Sequence, residues 1–157
     1  MRSICTSIVA ALVLAGTSFA ATINVPGDYT TIQEAISIAA DGDAVVLAPG
    51  THALPQSQIQ ITQSINLRSS HGNSETIVIA HPNSSTSGLR FFSASASGSS
   101  VEGITFDSFP SNLIWIDGNN DGQITDCTVR NCRFTNHLGA GSGTIGFQLA
   151  TNGLVDN

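Results

Sequence analysis

The chain has no lysine. Its positive charge rests on five arginines, Arg2, Arg68, Arg90, Arg130 and Arg133, set against eleven carboxylates for a formal net charge of −6. Cations this few and scattered form no basic stripe, so a nucleic-acid partner held by its phosphates is not expected. Long apolar runs are also missing. The longest, Ile8–Ala15, is too short to span a bilayer and is soon followed by Gly16-Thr17-Ser18. Cysteine is scarce, with Cys5, Cys127 and Cys132 the only three. Two cysteines with only His137 near them make a thin ligand set, so a thiolate metal centre is not expected.

The apolar run reads instead as the core of an export leader. Arg2 supplies the positive end, and Ser18-Phe19-Ala20 fits a small-x-small cleavage site. Residues 1–20 are therefore expected to be a signal peptide. Residues 21–157 would be the mature domain, secreted, periplasmic or at the cell surface, with no membrane contact once the leader is gone. An exported chain could join Cys127 to Cys132. Both also fall at apolar, inward positions of a strand pattern, so two packed thiols are expected, with the disulfide as the alternative.

Helical periodicity occurs once. Ile32, Ala35, Ile36 and Ala39 form a stripe of the helical period, opened by the capping box Thr31-x-x-Glu34 and closed by Asp41-Gly42. The pattern predicts one helix over Ile32–Ala40. Beyond it, apolar residues alternate in short pairs: Val45/Leu47, Ile59/Ile61, Ile65/Leu67, Ile77/Ile79, Ile104/Phe106, Ile114/Ile116, Cys132/Phe134 and Ile145/Phe147. Gly, Asn, Ser, Asp and Pro separate them. Hairpin sandwiches use strands of about five or six residues. Pairs this short suit coils in which each strand turns a corner and pairs with the coil above.

An internal repeat points the same way. "VEGITFDSF" (Val101 to Phe109) aligns with "VRNCRFTNH" (Val129 to His137) at an offset of 28 residues, from 101 to 129. Phe106 then falls on Phe134. A looser echo sets Ile124 against Leu154 at an offset of 30, from 124 to 154. Periods of this size mark stacked repeats.

The stretch "INVPGDYTTIQEAISIAADGDAVVLAPGTH" (Ile23 to His52) resembles the N-terminal segment of right-handed parallel β-helix proteins of the pectin-lyase-like superfamily, and the likeness continues to about Ala80. It implies an all-β solenoid, a right-handed parallel β-helix with an N-terminal α-helical cap. It says little of activity, because that superfamily holds lyases, hydrolases, esterases, epimerases and non-enzymatic surface proteins. The resemblance suggests a protein that binds or processes extracellular polysaccharide. If it is an enzyme, a polysaccharide lyase or glycoside hydrolase is expected. A structural or adhesive surface repeat protein is the alternative. The final "NGLVDN" shows no closing helix. The domain is therefore expected to continue into further coils or to meet another chain at that edge.

Two sets of candidate site residues stand out. "DGNNDGQITD" places Asp117, Asn119, Asp121 and Gln123 at the first, third, fifth and seventh positions of a calcium loop. The twelfth is Thr128, which cannot chelate through two oxygens, and the flanks are strand-like. The segment reads as a turn between coils, with or without a calcium ion. Trp115, if Ile114 and Ile116 point inward, faces out and could stack on a sugar ring. Arg130 and Arg133 could hold a uronate carboxylate, or form ordinary ion pairs with neighbours such as Asp107 and Asp126. No catalytic residue is assigned.

Overall fold

The computed structural model describes residues 19–54, 58–80, 88–110, 113–117 and 122–136, together with the backbone of strands at 145–148, 150–151 and 154–156. Most of the expected leader, and Asn119 and Asp121 of the expected turn, lie outside the described residues.

Strand β1 (Thr22–Val25) leads into helix α1 (Ile32–Ile38). Then come β2 (Ala44–Leu47), β3 (Gly50–Ala53), β4 (Ile59–Ile61), β5 (Asn66–Ser69), β6 (Thr76–Ile79) and β7 (Leu89–Phe91). They are followed by β8 (Ser100–Glu102), β9 (Thr105–Asp107), β10 (Ile114–Asp117), β11 (Ile124–Thr125), β12 (Thr128–Arg130) and β13 (Arg133–Thr135). The last are β14 (Ile145–Gln148), β15 (Ala150–Thr151) and β16 (Leu154–Asp156). Three sheets take these strands in rotation, in the orders β1-β2-β5-β8-β12-β16, β3-β6-β9-β13 and β4-β7-β10-β14. A small fourth sheet joins β11 to β15. Every paired strand runs parallel to its neighbour. Among the described residues the protein is thus largely parallel β-structure with one short α-helix and a single 3-10 turn at Ala94–Ala96.

Register stacks like on like. In the first sheet Ile23, Val45, Leu67, Val101 and Val129 lie side by side and are buried. The second sheet aligns His52, Val78, Phe106 and Phe134. There the rings of Phe106 and Phe134 stack at 5.8 Å with planes 17° apart, a contact worth about 0.5–1.5 kcal/mol beyond its buried area. The third aligns Ile59, Leu89 and Ile114, and beside them Ile61, Phe91 and Ile116, all buried. Between these faces lies one continuous apolar core.

Three details differ from the sequence pattern. Helix α1 ends at Ile38 rather than Ala40, because Ala39 has an extended ψ of 141° and serves as its C-cap. In β6 the inward residues are Thr76 and Val78, both fully buried, while Ile77 and Ile79 are half-buried on the outer face. Val78 must lie opposite Phe106, and the Thr76 hydroxyl is satisfied by Ser69 Oγ at 2.7 Å. Finally, Leu154 pairs with Thr128 and not with Ile124, whose partner is Ala150.

The repeat at 28 residues also governs the corners. Gly98, Gly103 and Ser108 have φ of 78°, 68° and 61°, and Asp126, Asn131 and Asn136, each 28 positions later, have φ of 57°, 52° and 49°. Gly, Asn and Asp enter this left-handed region at little cost, whereas Ser carries more of the Cβ penalty.

Side chains that imitate a missing strand close the leading edges of two of the sheets. Gln33, on α1, accepts the Gln60 N–H through Oε1 at 2.8 Å and donates through Nε2 to the Gln60 carbonyl at 3.2 Å. This closes the open edge of β4. Gln63 donates in turn to the carbonyls of Ala39, at 3.0 Å, and Ile36, tying down the end of α1. On β1 the Asn24 N–H meets Asp28 Oδ2 at 2.7 Å, and the Asn24 carbonyl accepts the Asp28 N–H at 2.7 Å. At the helix start, Thr31 and Glu34 form the expected capping box. Among the described residues, β3 has no equivalent closure along its outer edge, where Thr51 and Ala53 are exposed.

Gln33→Ala should lower unfolding stability by about 1–3 kcal/mol, because two backbone groups of Gln60 lose their partners. Urea denaturation measures this, and an unchanged midpoint would contradict the closure. Ser108→Asn, matching the residue at the equivalent corner, should raise stability by about 0.5–1 kcal/mol. The same titration reads it out.

Candidate functional site

The outward residues of the first sheet alternate in charge. Arg68 lies in register with Glu102, and Glu102 with Arg130; Asp156 occupies the next register position. Arg130 Nη2 meets Glu102 Oε2 at 2.7 Å, but the Arg130 side chain is half exposed, so the pair contributes little to stability. Arg68 makes no ion pair among the described residues. It lines a depression of about 440 Å³ with Ser69, Asn73, Ser74, Glu102 and Asn131.

Asn73 and Ser74 form a rib beside this depression. The rib is pinned from several sides: Asn73 Nδ2 donates to the Asn131 carbonyl at 2.7 Å, and Thr105 Oγ1 donates to the Asn73 carbonyl at 2.6 Å. Ser69 Oγ accepts the N–H groups of His71 and Gly72 at 3.0 and 2.8 Å. Across the rib, on the second sheet, lies another depression of about 270 Å³ that includes Ile77, Asp107, Arg133, Thr135 and Asn136. Asp107 Oδ1 accepts Thr135 Oγ1 at 2.7 Å and Asn136 Nδ2 at 2.8 Å. The two hollows together offer two guanidiniums, two carboxylates, amides and hydroxyls around a rigid ridge. That set can hydrogen-bond a polyhydroxylated ligand and clamp a carboxylate on it.

The third sheet carries a different group. Trp115 is half-buried and faces outward between the buried Ile114 and Ile116, in register with Arg90. The Arg90 guanidinium sits over the Phe92 ring, 4.5 Å from its centroid, and pairs with Asp117. Such a cation–π contact contributes about 0.5–1 kcal/mol. Asp117, the first oxygen of the expected calcium turn, is only 5% exposed, and its charge is matched by Arg90. Gln123 is exposed. Among the described residues no group of three His, Cys, Asp or Glu side chains is placed to hold a metal ion, and no helix is long and apolar enough to cross a membrane.

Trp115, Arg130 and Arg133 therefore stand on three different sheets and do not converge. Arg133 enters the second depression, and Arg130 reaches the first only through Glu102. Sequence reasoning passed over Arg68, Asn73 and Ser74. The signal available was the polar turn "SSHGNSE" directly after an arginine in a lysine-free chain. Cys127 and Cys132 are buried free thiols. Burial pushes the Cys127 thiol up to about 11 and the Cys132 thiol upward as well, so both are poor nucleophiles. His52 faces its own loop, with Nε2 at 2.9 Å from the Ala48 carbonyl.

Three carboxylates are held below their usual range: Glu34 chiefly by the Thr30 hydroxyl, Asp43 by the N–H groups of Ala40 and Ala21, and Asp107 by the Thr135 hydroxyl. A folded pKa below the unfolded one gives stability that is present above the unfolded value and lost as pH falls through the folded one. The urea midpoint should therefore decline below about pH 4, and Asp107→Asn should flatten that decline. A midpoint that rises on acidification would contradict these assignments.

Comparison of the chain with protein-family models, with curated proteins and with solved structures finds no match in any of the three.

Proposed function

We propose that the chain forms a right-handed parallel β-helix of the pectin-lyase-like kind, exported by its N-terminal leader, whose outer faces bind extracellular polysaccharide. The observation that carries this reading is the pair of polar hollows astride Asn73–Ser74, built on three sheets that receive strands β2 to β10 in rotation. Rotation through three parallel sheets is what a coiled solenoid requires. A long polymer suits a surface on which like positions recur from one circuit to the next. Arg68 and Arg133 would hold acidic groups of the polymer, Asn73, Ser74 and Asn131 its hydroxyls, and Trp115, with Arg130, would mark further contacts on the neighbouring faces. A calcium ion, if the turn at Asp117, Asn119, Asp121 and Gln123 takes one, would staple that turn.

The reading stops at binding. A polysaccharide lyase or glycoside hydrolase needs an acid–base pair at the bond to be broken, and the carboxylates of the hollows, Glu102 and Asp107, are engaged by Arg130 and by Thr135 with Asn136. The second reading, a structural or adhesive surface protein, draws on the same regular stacking. Retardation in gels containing polygalacturonate or a neutral glucan separates the two. The proposal expects retardation by the acidic polymer, weakened about tenfold by Arg68→Ala with Arg133→Ala, a change of about 1.4 kcal/mol. No retardation by any acidic polymer would favour the structural reading. Release of unsaturated product from polygalacturonate with calcium would show a lyase.

A further inference from the structure

Ala21 stands where the expected leader ends, and the fold grips it at both ends of its backbone. Its carbonyl accepts the Ala44 N–H at 2.8 Å, and its own N–H donates to Asp43 Oδ1 at 2.7 Å. The other carboxylate oxygen of Asp43 accepts the Ala40 N–H at 2.8 Å, just past the end of α1. Asp43 is only 8% exposed. Among the described residues no arginine or histidine pairs with it, so its charge is met by neutral N–H groups alone. Phe19, Ala20 and Ala21 are exposed, which leaves the Ala20–Ala21 bond open to a protease.

We propose that hydrolysis of the Ala20–Ala21 bond by a leader peptidase turns the Ala21 N–H into an α-ammonium that pairs with Asp43, so that processing itself fastens the first strand to the end of the helical cap. In this step the C–N bond breaks and the hydroxyl of water joins the Ala20 carbonyl carbon. The released amine of Ala21 takes up a proton and is charged at neutral pH, since its ordinary pKa is about 8. The nitrogen is already at hydrogen-bond distance from the carboxylate, so no rearrangement is needed. The bond to the ionised carboxylate is charge-assisted from the acceptor side already, and a cationic donor adds the attraction of opposite charges to it. The partly buried charge of Asp43 also gains the counter-ion it lacks. The position is specific. A chain beginning one residue earlier carries its ammonium beyond Asp43, and one beginning a residue later loses both bonds of Ala21.

This inference rests on the leader reading, but its two halves are tested apart. Because the chain has no lysine, the α-amine of a chain beginning at Ala21 is its one primary amine, and an acetyl succinimidyl ester neutralises it selectively. Acetylation is expected to lower the Tm by about 3–6 °C and to leave the Tm of an Asp43→Asn chain unchanged. If Asp43→Asn fails to fold, a chain beginning at Ala20 serves instead, and its Tm should be insensitive to acetylation. No shift on acetylating the Ala21 chain, or an equal shift in the control, would overturn the pairing. Processing is read from the N-terminal mass of the full chain exported with its leader. A mass beginning at Ala21 supports the proposal, and any other start overturns the processing half whatever acetylation shows.

Discussion

Parallel pairing of each strand with its neighbours in the sheet is the constraint on which the rest of this structure depends. Strands of only two to four residues have too little surface to hold a partner by themselves. Here a strand that lies between two others is held because its backbone bonds to both, and its inward side chain rests on its equivalents. Val45, Leu67, Val101 and Val129 are one such row, and Phe106 on Phe134 is part of another. A change at any one of these residues is felt by the neighbouring strands, since packed interiors have few voids to absorb it.

The same dependence makes the start of the fold vulnerable, because its first strands have no predecessor. Short polar side chains take the predecessor's place. The Gln33 amide presents one donor and one acceptor, as a backbone residue of a strand would, and Asp28 does similar work for Asn24. Asp43 binds the beginning of β1 and the segment after α1 with one carboxylate. The helix is therefore less a unit of secondary structure in its own right than a carrier for Gln33 and for the apolar face, Ile32, Ala35 and Ile36, that it buries in the core.

Much of this was legible in the sequence, and the failures have physical causes. The capping box at Thr31 and Glu34, the single apolar stripe on α1 and the alignment of Val101 with Val129 were all readable, because each depends on residues near in sequence or on a repeat. The face of β6 was not. "TIVI" alternates acceptably in either phase, and two isoleucines look more interior than a threonine and a valine. The choice fell to Phe106 on the next strand and to the Ser69 hydroxyl that satisfies Thr76. The candidate site suffered similarly. Arg130 and Arg133 are near in sequence, yet the corner at Asn131 sends them to different sheets, while Arg68 and Arg133 reach the two hollows from strands far apart in the chain.

The sequence by itself determined the inventory: one capped helix, many short strands with a period of two, and corners rich in Gly, Asn and Asp, because these follow from local sterics and side-chain alternation. Only the tertiary structure decided phase and neighbourhood. It set which side of β6 faces the core, which strand Leu154 adjoins, and which polar groups meet around Asn73. A period of two has two equivalent phases, and residues from strands distant in the chain share no local pattern. Contact with the next strand is what breaks the tie.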